Sequence, residues 1–359
     1  MFGLTRSKKL VGLDIGTYAV KAVELNARKQ KSGARYELVR IGFKPLPPDS
    51  IVEGTVIDAA AVADAIRQLF DENKISTRDV VISISGNSVI IKKISLPTMD
   101  RLELAESITW EAKHNIPYPY EETNVDYVIL PPSQGSGDGN LDILLVAAKK
   151  DKISNYYNVI NQARKNLEAI EVDVFALHNA LEINYPEIFE AKTAALVNIG
   201  ANITNVIITE RGRPQLFRDL AIGGYFFTEN IRKELNVSFD ESERLLKGLP
   251  GTSVTPDQFA SALALNIRDL LDEMEKTMAF FEATEKTADQ VEQILLSGGL
   301  ANIPDIAEAF ENKFQIKTEL FNPFRMIHYD EKKFDPIFFS EMAPIFGVAV
   351  GLSTRQAEK

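Results

Sequence analysis

Three short turns rich in small residues, each directly after an apolar run, constrain this chain more than any other feature. They are Asp14-Ile15-Gly16-Thr17, Asn198-Ile199-Gly200-Ala201-Asn202 and Ser297-Gly298-Gly299-Leu300. Glycine permits close backbone approach, so main-chain N–H groups at such turns can converge on phosphate oxygens. A single turn of this kind is more typical of an ordinary hairpin, but the order and spacing of the three favour a shared phosphate-binding role.

The segments around the turns predict strands and helices in two similar α/β halves. The predicted strands of the first half are residues 9–15, 19–25, 35–43 and 79–85, with a helix that Asp58 caps before the last of them. The second half repeats this theme in strands 193–209, 215–220 and 293–296, helices 226–235 and 256–281, and a last apolar segment, 343–351. A chain of 359 residues can bury a core in each half, which favours a cleft between two domains.

A separate unit interrupts the first half. Strand 89–96 leads to a helix that we expect Thr98 to cap and whose inward residues are Leu102, Ala105, Ile108 and Ala112. Strand 125–130, a Gly- and Ser-rich loop over 131–140, strand 141–148 and helix 152–167 complete a βαββα arrangement. We interpret it as an inserted subdomain.

Composition excludes several function classes. The net charge is −11, which argues against broad capture of nucleic acid or anionic lipid. No cysteine is present, so disulfides and thiolate metal sites are excluded. Residues 1–9 lack a signal peptide's apolar core, and no uninterrupted apolar run reaches the roughly 18 residues of a spanning helix. We therefore expect a soluble cytoplasmic protein without direct membrane insertion.

Few side chains outside the turns suggest chemistry. Asp14 can hold a hydrated Mg²⁺, because this ion usually takes only one or two protein carboxylates. His114, His178 and His328 are too scattered to indicate a metal site. The chain has no P-loop, no His-Glu-x-x-His pair and no Gly-x-Ser-x-Gly elbow.

The three turns resemble the phosphate 1, phosphate 2 and adenosine motifs of the actin, sugar kinase and Hsp70 superfamily. This resemblance implies an actin-like (RNase H-like, duplicated) fold with two lobes around a nucleotide cleft. It also implies ATP or ADP with Mg²⁺ as ligand, and Asp14 as the residue that binds the metal. The implied nucleotide-binding residues are Asp14, Gly16, Thr17, Asn198, Gly200, Ala201, Asn202, Gly298, Gly299, and Glu243 and Lys247 of the helical Glu-x-x-x-Lys element. An ordinary i,i+4 ion pair explains Glu243 and Lys247 equally well.

A narrower resemblance, to the PilM family, covers nearly the whole chain. Its signature is similar to Glu111-Ala112-Lys113-His114-Asn115-Ile116-Pro117, and its second-half hairpin is similar to Arg218-Asp219-Leu220-Ala221-Ile222-Gly223-Gly224. The insert occupies the place of the 1C subdomain that PilM shares with FtsA. The resemblance implies subdomain 1A in residues 1–82, 175–190 and 343–359, 1C in 83–174, 2A in 191–236 and 286–342, and 2B in 237–285.

The same resemblance implies an adaptor function. In that family the protein binds the short cytoplasmic N-terminal tail of PilN in a groove between 1A and 1C. It thereby links the inner-membrane PilN/PilO subcomplex to the pilus motor ATPases and lies at the membrane through PilN. Trp110, Tyr118 and Tyr120 either line such a groove or pack beside a helix end. A filament former like FtsA and a small-molecule kinase are the alternatives.

One departure from the family concerns hydrolysis. The usual phosphate 2 aspartate is Asn198 here, and a neutral amide lacks the charge that helps bind Mg²⁺ or orient water. We expect slow or absent turnover, and both ATP and ADP remain open as the working ligand.

Overall fold

The computed structural model describes residues 9–27, 36–86, 89–131, 139–251, 253–285 and 289–355. The strands in this part of the chain are β1 (Val11–Ile15), β2 (Ala19–Ala27), β3 (Tyr36–Pro45), β4 (Ile51–Val52), β5 (Thr55–Val56), β6 (Asp79–Ile84), β7 (Val89–Pro97), β8 (Thr123–Ile129), β9 (Asn140–Lys149), β10 (Asn166–Val172), β11 (Thr193–Ile199), β12 (Thr204–Glu210), β13 (Arg213–Leu220), β14 (Gln293–Ser297), β15 (Lys317–Leu320) and β16 (Ile327–His328). The α-helices are α1 (Ala59–Glu72), α2 (Arg101–Asn115), α3 (Lys150–Gln162), α4 (Asp173–Asn184), α5 (Pro186–Ala191), α6 (Gly224–Leu235), α7 (Phe239–Leu246), α8 (Pro256–Thr284), α9 (Ile306–Phe314), α10 (Pro336–Met342) and α11 (Gly347–Ser353).

Two sheets of the same design form the two halves. The first has the order β10-β6-β1-β2-β3-β16, and the second has the order β13-β12-β11-β14-β15. In each sheet three consecutive strands form an antiparallel meander, β1-β2-β3 in the first and β11-β12-β13 in the second. The first strand of each meander also begins a row of parallel strands, β1-β6-β10 and β11-β14-β15. The predicted duplicated α/β architecture, actin-like with two lobes, is confirmed.

The first hairpin of each sheet is built in the same way. Strands β1 and β2 pair up to Ile15 opposite Val20, and the Gly16 N–H donates to the Ala19 carbonyl at 3.1 Å. In the second sheet, the Gly200 N–H donates to the Ile203 carbonyl at 3.0 Å. Both predicted turns therefore lie at corresponding ends of corresponding strands.

Local signals fix the two main helices as predicted. The Asp58 side chain accepts a hydrogen bond from the Ala61 N–H and begins α1, whose buried face includes Val62, Ile66 and Leu69. Helix α8 begins with a capping box in which Thr255 and Gln258 satisfy each other's backbone N–H groups. Both helices thus combine a side-chain cap with an apolar stripe at helical spacing.

The inserted unit is a three-stranded sheet, β7-β9-β8, covered by α2. Helix α2 of the insert differs from two predictions, one about its cap and one about its buried face. Asp100, not Thr98, caps α2, because its carboxylate accepts from the N–H groups of Leu102 and Glu103. Leu102 is 80% exposed and Ala105 is exposed as well, because the inward stripe runs through Leu104 and the predicted Ile108 and Ala112 at a spacing of four.

The predicted helix over residues 152–167 was wrong at its end. Helix α3 ends at Gln162, Arg164 takes a left-handed conformation with φ of 58°, and the chain turns into strand β10. Strand β10 pairs in parallel with β6 of the first sheet, and α3 packs against α1. We therefore propose narrower bounds for the insert, 89–149 instead of 83–174. Most of the predicted Gly- and Ser-rich loop, 132–138, lies outside the described residues.

One edge of the insert contacts the second half. The Lys93 ammonium on β7 donates to the Gln215 side chain at 2.8 Å and forms an ion pair with Glu285 at 3.1 Å. Arg213 on β13 pairs with Asp142 on β9. The insert is thus held by polar contacts to the second sheet as well as by its own connections.

Helices α4 and α11 lie between the two halves. A single core cluster joins their side chains to both sheets, with Leu177 and Val350 packed among residues such as Val81 and Leu196. One described stretch, Pro336–Ser353, has the length and mean hydropathy (1.4) of a membrane span, but 61% of it is buried inside the fold. It forms α10, a short 3₁₀ turn and α11, as expected of a core segment.

The His178 side chain on α4 makes stability depend on pH. Burial lowers its pKa from 6.5 to about 4, and its Nε2 lies 3.2 Å from the Thr209 hydroxyl. The unfolded chain therefore binds a proton that the folded chain resists, and stability falls as the pH drops from 6.5 towards 4. The loss should reach about 3 kcal/mol below that window. Urea unfolding of the wild type and His178→Gln across this range should show the steeper loss in the wild type; parallel curves would contradict it.

Candidate functional site

All eleven residues predicted to bind nucleotide line one cavity between the two halves. Its volume is about 410 Å³. The residues are Asp14, Gly16, Thr17, Asn198, Gly200, Ala201, Asn202, Glu243, Lys247, Gly298 and Gly299. The fold therefore brings together segments that lie almost 300 positions apart in the sequence.

The first turn places a carboxylate and an ammonium side by side. Asp14 is only 8% exposed, and its Oδ2 accepts from the Lys21 Nζ at 2.7 Å across the β1–β2 hairpin. The register explains this contact, because Asp14 and Lys21 are directly paired residues. The sequence prediction named Asp14 and missed Lys21, although the hairpin register could have indicated it.

The second turn carries a chain of amide hydrogen bonds instead of a carboxylate. The Asn198 amide donates to the Asn205 side chain at 3.2 Å, which in turn donates to Asp219 at 2.7 Å. The other Asp219 oxygen accepts from the Gly86 N–H of the first half at 3.0 Å. Asn198 is thus held by neighbours on its own sheet, and the nearest charge in this chain of bonds is at Asp219.

The third turn requires glycine. Gly298 has a φ of 91°, and a Cβ there would overlap the backbone of Ile199 at the end of β11. Its N–H donates to the Pro344 carbonyl at 2.9 Å, and the Ser297 hydroxyl donates to the same oxygen at 2.8 Å. The turn at Gly298 and the turn at Gly200 are therefore in backbone contact.

Glu243 and Lys247 form the ordinary ion pair that the sequence left open, and their role in binding a nucleotide stays a prediction. They form an i,i+4 ion pair of 2.8 Å at the end of α7, and they also line the cavity. The Lys247 ammonium lies 5.3 Å from the ring centroid of Tyr18 in the first half. This cation–π contact brings the two halves together at the mouth of the cavity.

Several cavity residues were missed from the sequence. Lys152 and Tyr156 come from α3, Ser85 follows β6, and Asp173 begins α4 directly after β10. Because β1, β6 and β10 are parallel, their carboxyl ends meet at one edge of the sheet, where ligand-binding side chains collect. A correct assignment of β10 would have indicated Asp173 by this rule.

The electrostatics of this edge are unusual. Desolvation raises the pKa of Asp173, and the negative charge of Asp14 raises it further. Desolvation also lowers the pKa of Lys152 and raises that of Tyr156. Perturbed groups that share a cavity are typical of functional sites, although buried structural networks produce them too.

The donor set of the cavity fits a divalent cation that a bound ligand would help to hold. Within the described part of the chain, no group of three or more His, Cys, Asp or Glu side chains could form a complete metal cage. Mg²⁺ commonly combines one carboxylate with substrate phosphates and water, and Asp14 lies beside the phosphate turns. The residues therefore fit a metal that arrives with a nucleotide.

The aromatic side chains of the insert differ in their packing. Tyr118 and Tyr120 pack against the core of the insert, each beside a lysine, Lys149 and Lys113 respectively. Trp110 is 57% exposed and stacks on His114 with ring centroids 4.0 Å apart. Packing thus accounts for the two tyrosines, whereas a peptide groove stays a prediction.

Comparisons with known proteins agree with this architecture. The solved structure of a "PilM-PilN type IV pilus biogenesis complex" superposes with a TM-score of 0.85 and 27% identity, covering 98% of this chain and 99% of that chain. MreB5 of Spiroplasma citri bound to ADP matches with a TM-score of 0.51 and 15% identity over 96% and 94% of the two chains, which supports the fold alone. The cell division protein FtsA of Bacillus subtilis (strain 168) is 20% identical over 84% of this chain and 72% of its own length. The family model for the type IV pilus assembly protein PilM matches residues 12–357, and this chain therefore belongs to the PilM family of type IV pilus assembly proteins.

Proposed function

We propose that this protein is a nucleotide-binding adaptor of type IV pilus assembly that binds the N-terminal cytoplasmic tail of PilN. The observation that carries the proposal is the likeness to the PilM–PilN complex, which extends over 98% of the chain at 27% identity. Membership of the PilM family supports it. Through PilN the adaptor would lie at the inner membrane, on its cytoplasmic side, and would link PilN and PilO to the pilus motor ATPases.

The nucleotide would hold the two halves in the arrangement that binds the peptide. Contacts across the cavity, such as Lys247 over Tyr18 and Asp219 to the Gly86 N–H, support this role, because a ligand between the halves would favour their closed arrangement. ATP or ADP would bind with Mg²⁺ at Asp14. With Asn198 uncharged, hydrolysis would be slow or absent.

The direct test is calorimetric titration of a synthetic peptide with the PilN tail sequence of the same genome. We expect saturable binding in the presence of Mg·ATP and at least tenfold weaker binding without nucleotide, because the ligand-free halves populate the competent arrangement less. A scrambled peptide is the control. Absence of binding in every condition would contradict the adaptor proposal.

An FtsA-like filament former is the second candidate. It is favoured by the relationship to FtsA and by the inserted three-stranded sheet, which corresponds in sequence position to the 1C subdomain. Sedimentation with Mg·ATP separates the two functions. Nucleotide-dependent pelleting without peptide binding would support the filament, and a protein that stays in the supernatant and binds the peptide would support the adaptor.

A further inference from the structure

Lys152 is a buried cation that has no carboxylate within ion-pair distance among the residues that the structure describes. It lies in the first turn of α3 and is only 7% exposed, yet it lines the cavity. Its ammonium donates to the Ser85 carbonyl and lies 3.1 Å from the position that a Cβ would take at Gly54 in the β4–β5 turn. In the ranges that the structure describes, it forms no ion pair within 4.0 Å, whereas Lys21 is paired with Asp14.

Such an arrangement is unfavourable unless an anion completes it. Moving an ammonium out of water costs several kcal/mol, and one neutral carbonyl satisfies only one of its three donors. Desolvation lowers the pKa of Lys152, and the negative charges of Asp173 and Asp219 oppose this decrease without a direct contact. The side chain is thus preorganised for an anion that the described part of the chain does not supply.

The position of Lys152 identifies which part of a nucleotide would reach it. Strands β1 and β6 pair in parallel with Leu13 opposite Ile82, so Asp14 lies beside Ser83, two residues before the Ser85 carbonyl that Lys152 holds. The turn at Gly298 instead packs against Ile199 of the second sheet. Lys152 lies with Asp173 and Tyr156, whose ionisation is affected by the charge of Asp14. Lys152 therefore belongs to the region around Asp14 in the first half, whereas the Gly298 turn belongs to the second sheet.

We propose that Lys152 binds the terminal phosphate of a nucleoside triphosphate and makes the site distinguish ATP from ADP. This inference rests on the proposed nucleotide-binding function. A diphosphate ends before it reaches the ammonium and leaves it unpaired, whereas a triphosphate satisfies its remaining donors with charge-assisted hydrogen bonds. The buried ammonium thus converts the presence of one phosphate group into a difference in affinity.

The contact between Lys152 and the Ser85 carbonyl lies next to the junction between the two halves. Lys152 holds the Ser85 carbonyl, and the next residue, Gly86, donates its N–H to Asp219 of the second half. Asp219 continues through Asn205 to Asn198 in the second phosphate turn. A terminal phosphate on Lys152 would therefore act on a segment that bridges both halves.

The test compares two nucleotides on one variant. Calorimetric titrations use Mg²⁺ with a non-hydrolysable ATP analogue and, separately, with ADP. The wild type should bind the analogue at least tenfold more tightly than ADP. Lys152→Met should weaken binding of the analogue about 10- to 100-fold, the effect of losing a hydrogen bond between charged groups, and change ADP affinity less than twofold.

The control is Lys150→Met, because Lys150 lies on the same helix, is exposed and donates to the Glu121 carbonyl outside the cavity. It should leave both affinities unchanged. Lys152→Gln keeps a donor for the Ser85 carbonyl and should lose the preference just as Lys152→Met does, which separates phosphate binding from a folding defect. Equal changes for both nucleotides, or none, would overturn the assignment while nucleotide binding stands. A wild type that binds neither nucleotide would overturn both proposals.

Discussion

Replacing Gly351 by alanine is expected to lower the free energy of unfolding by about 3 kcal/mol or more. Gly351 lies in α11 where this helix crosses α4, and a Cβ there would overlap the backbone carbonyl of Ala176. A flexible side chain could move away from the new methyl group, but a backbone carbonyl inside a helix cannot move without shifting α4. Since α4 carries Asp173 and contacts both sheets, the shift would also disturb the cavity.

The sign of the change in unfolding free energy distinguishes close helix packing from helix propensity. Helix propensity alone predicts that Gly→Ala inside a helix stabilises a protein by up to about 1 kcal/mol. Gly139→Ala is the matched control, because nothing lies within 4 Å of a Cβ at that position. Urea unfolding at constant pH should show a large loss for Gly351→Ala and less than about 0.5 kcal/mol for Gly139→Ala. A neutral or stabilising Gly351→Ala would contradict the close crossing of α4 and α11.

Replacing Asp14 by asparagine is expected to weaken Mg·nucleotide binding about 100-fold, while nucleotide binding without Mg²⁺ becomes equal or stronger. The two conditions differ because the Asp14 carboxylate has two effects. With Mg²⁺ present, it would supply the protein ligand to the metal. Without the metal it repels phosphate and holds Lys21 in a 2.7 Å ion pair. The amide removes the repulsion and releases Lys21 to bind phosphate.

Calorimetry of ATP binding in Mg²⁺ and in a chelator measures both changes. Asp126→Asn removes the same charge from an exposed position of the insert that does not line the cavity, and it should alter neither affinity. A variant that loses affinity equally in both conditions would indicate that Asp14 maintains the shape of the turn rather than holding a metal. Unchanged affinity in Mg²⁺ would exclude Asp14 as the metal ligand.

The sequence predicted the duplicated fold because its signals are local. Apolar runs that end at Gly16 and Gly200 specify two hairpins of the same geometry, and Asp58 and Thr255 cap their helices through contacts three residues away. Such signals depend on neighbouring residues alone. The resemblance to a family then supplied the cleft and its eleven residues, all of which the fold places around one cavity.

Where the sequence failed, contacts between distant segments decided the structure. The predicted helix continued to residue 167, yet Arg164 takes a positive φ and β10 pairs with β6, more than 80 positions earlier. The phase of α2 was misjudged because Leu102 is as apolar as Leu104, and only the sheet beneath the helix decides which of them is buried.

The sequence by itself thus determined the repeated halves, the three turns and the capped helix α1, since each depends on residues close together in the chain. The tertiary structure alone decided that β10 joins the first sheet, with α3 packed beside it. It also decided that Asp173 and Lys152 reach the cavity with Asp14. The physical reason is that strand pairing and desolvation are properties of the assembled sheet edge. Neither the raised pKa of Asp173 nor the burial of Lys152 beside the Ser85 carbonyl exists until these elements pack together.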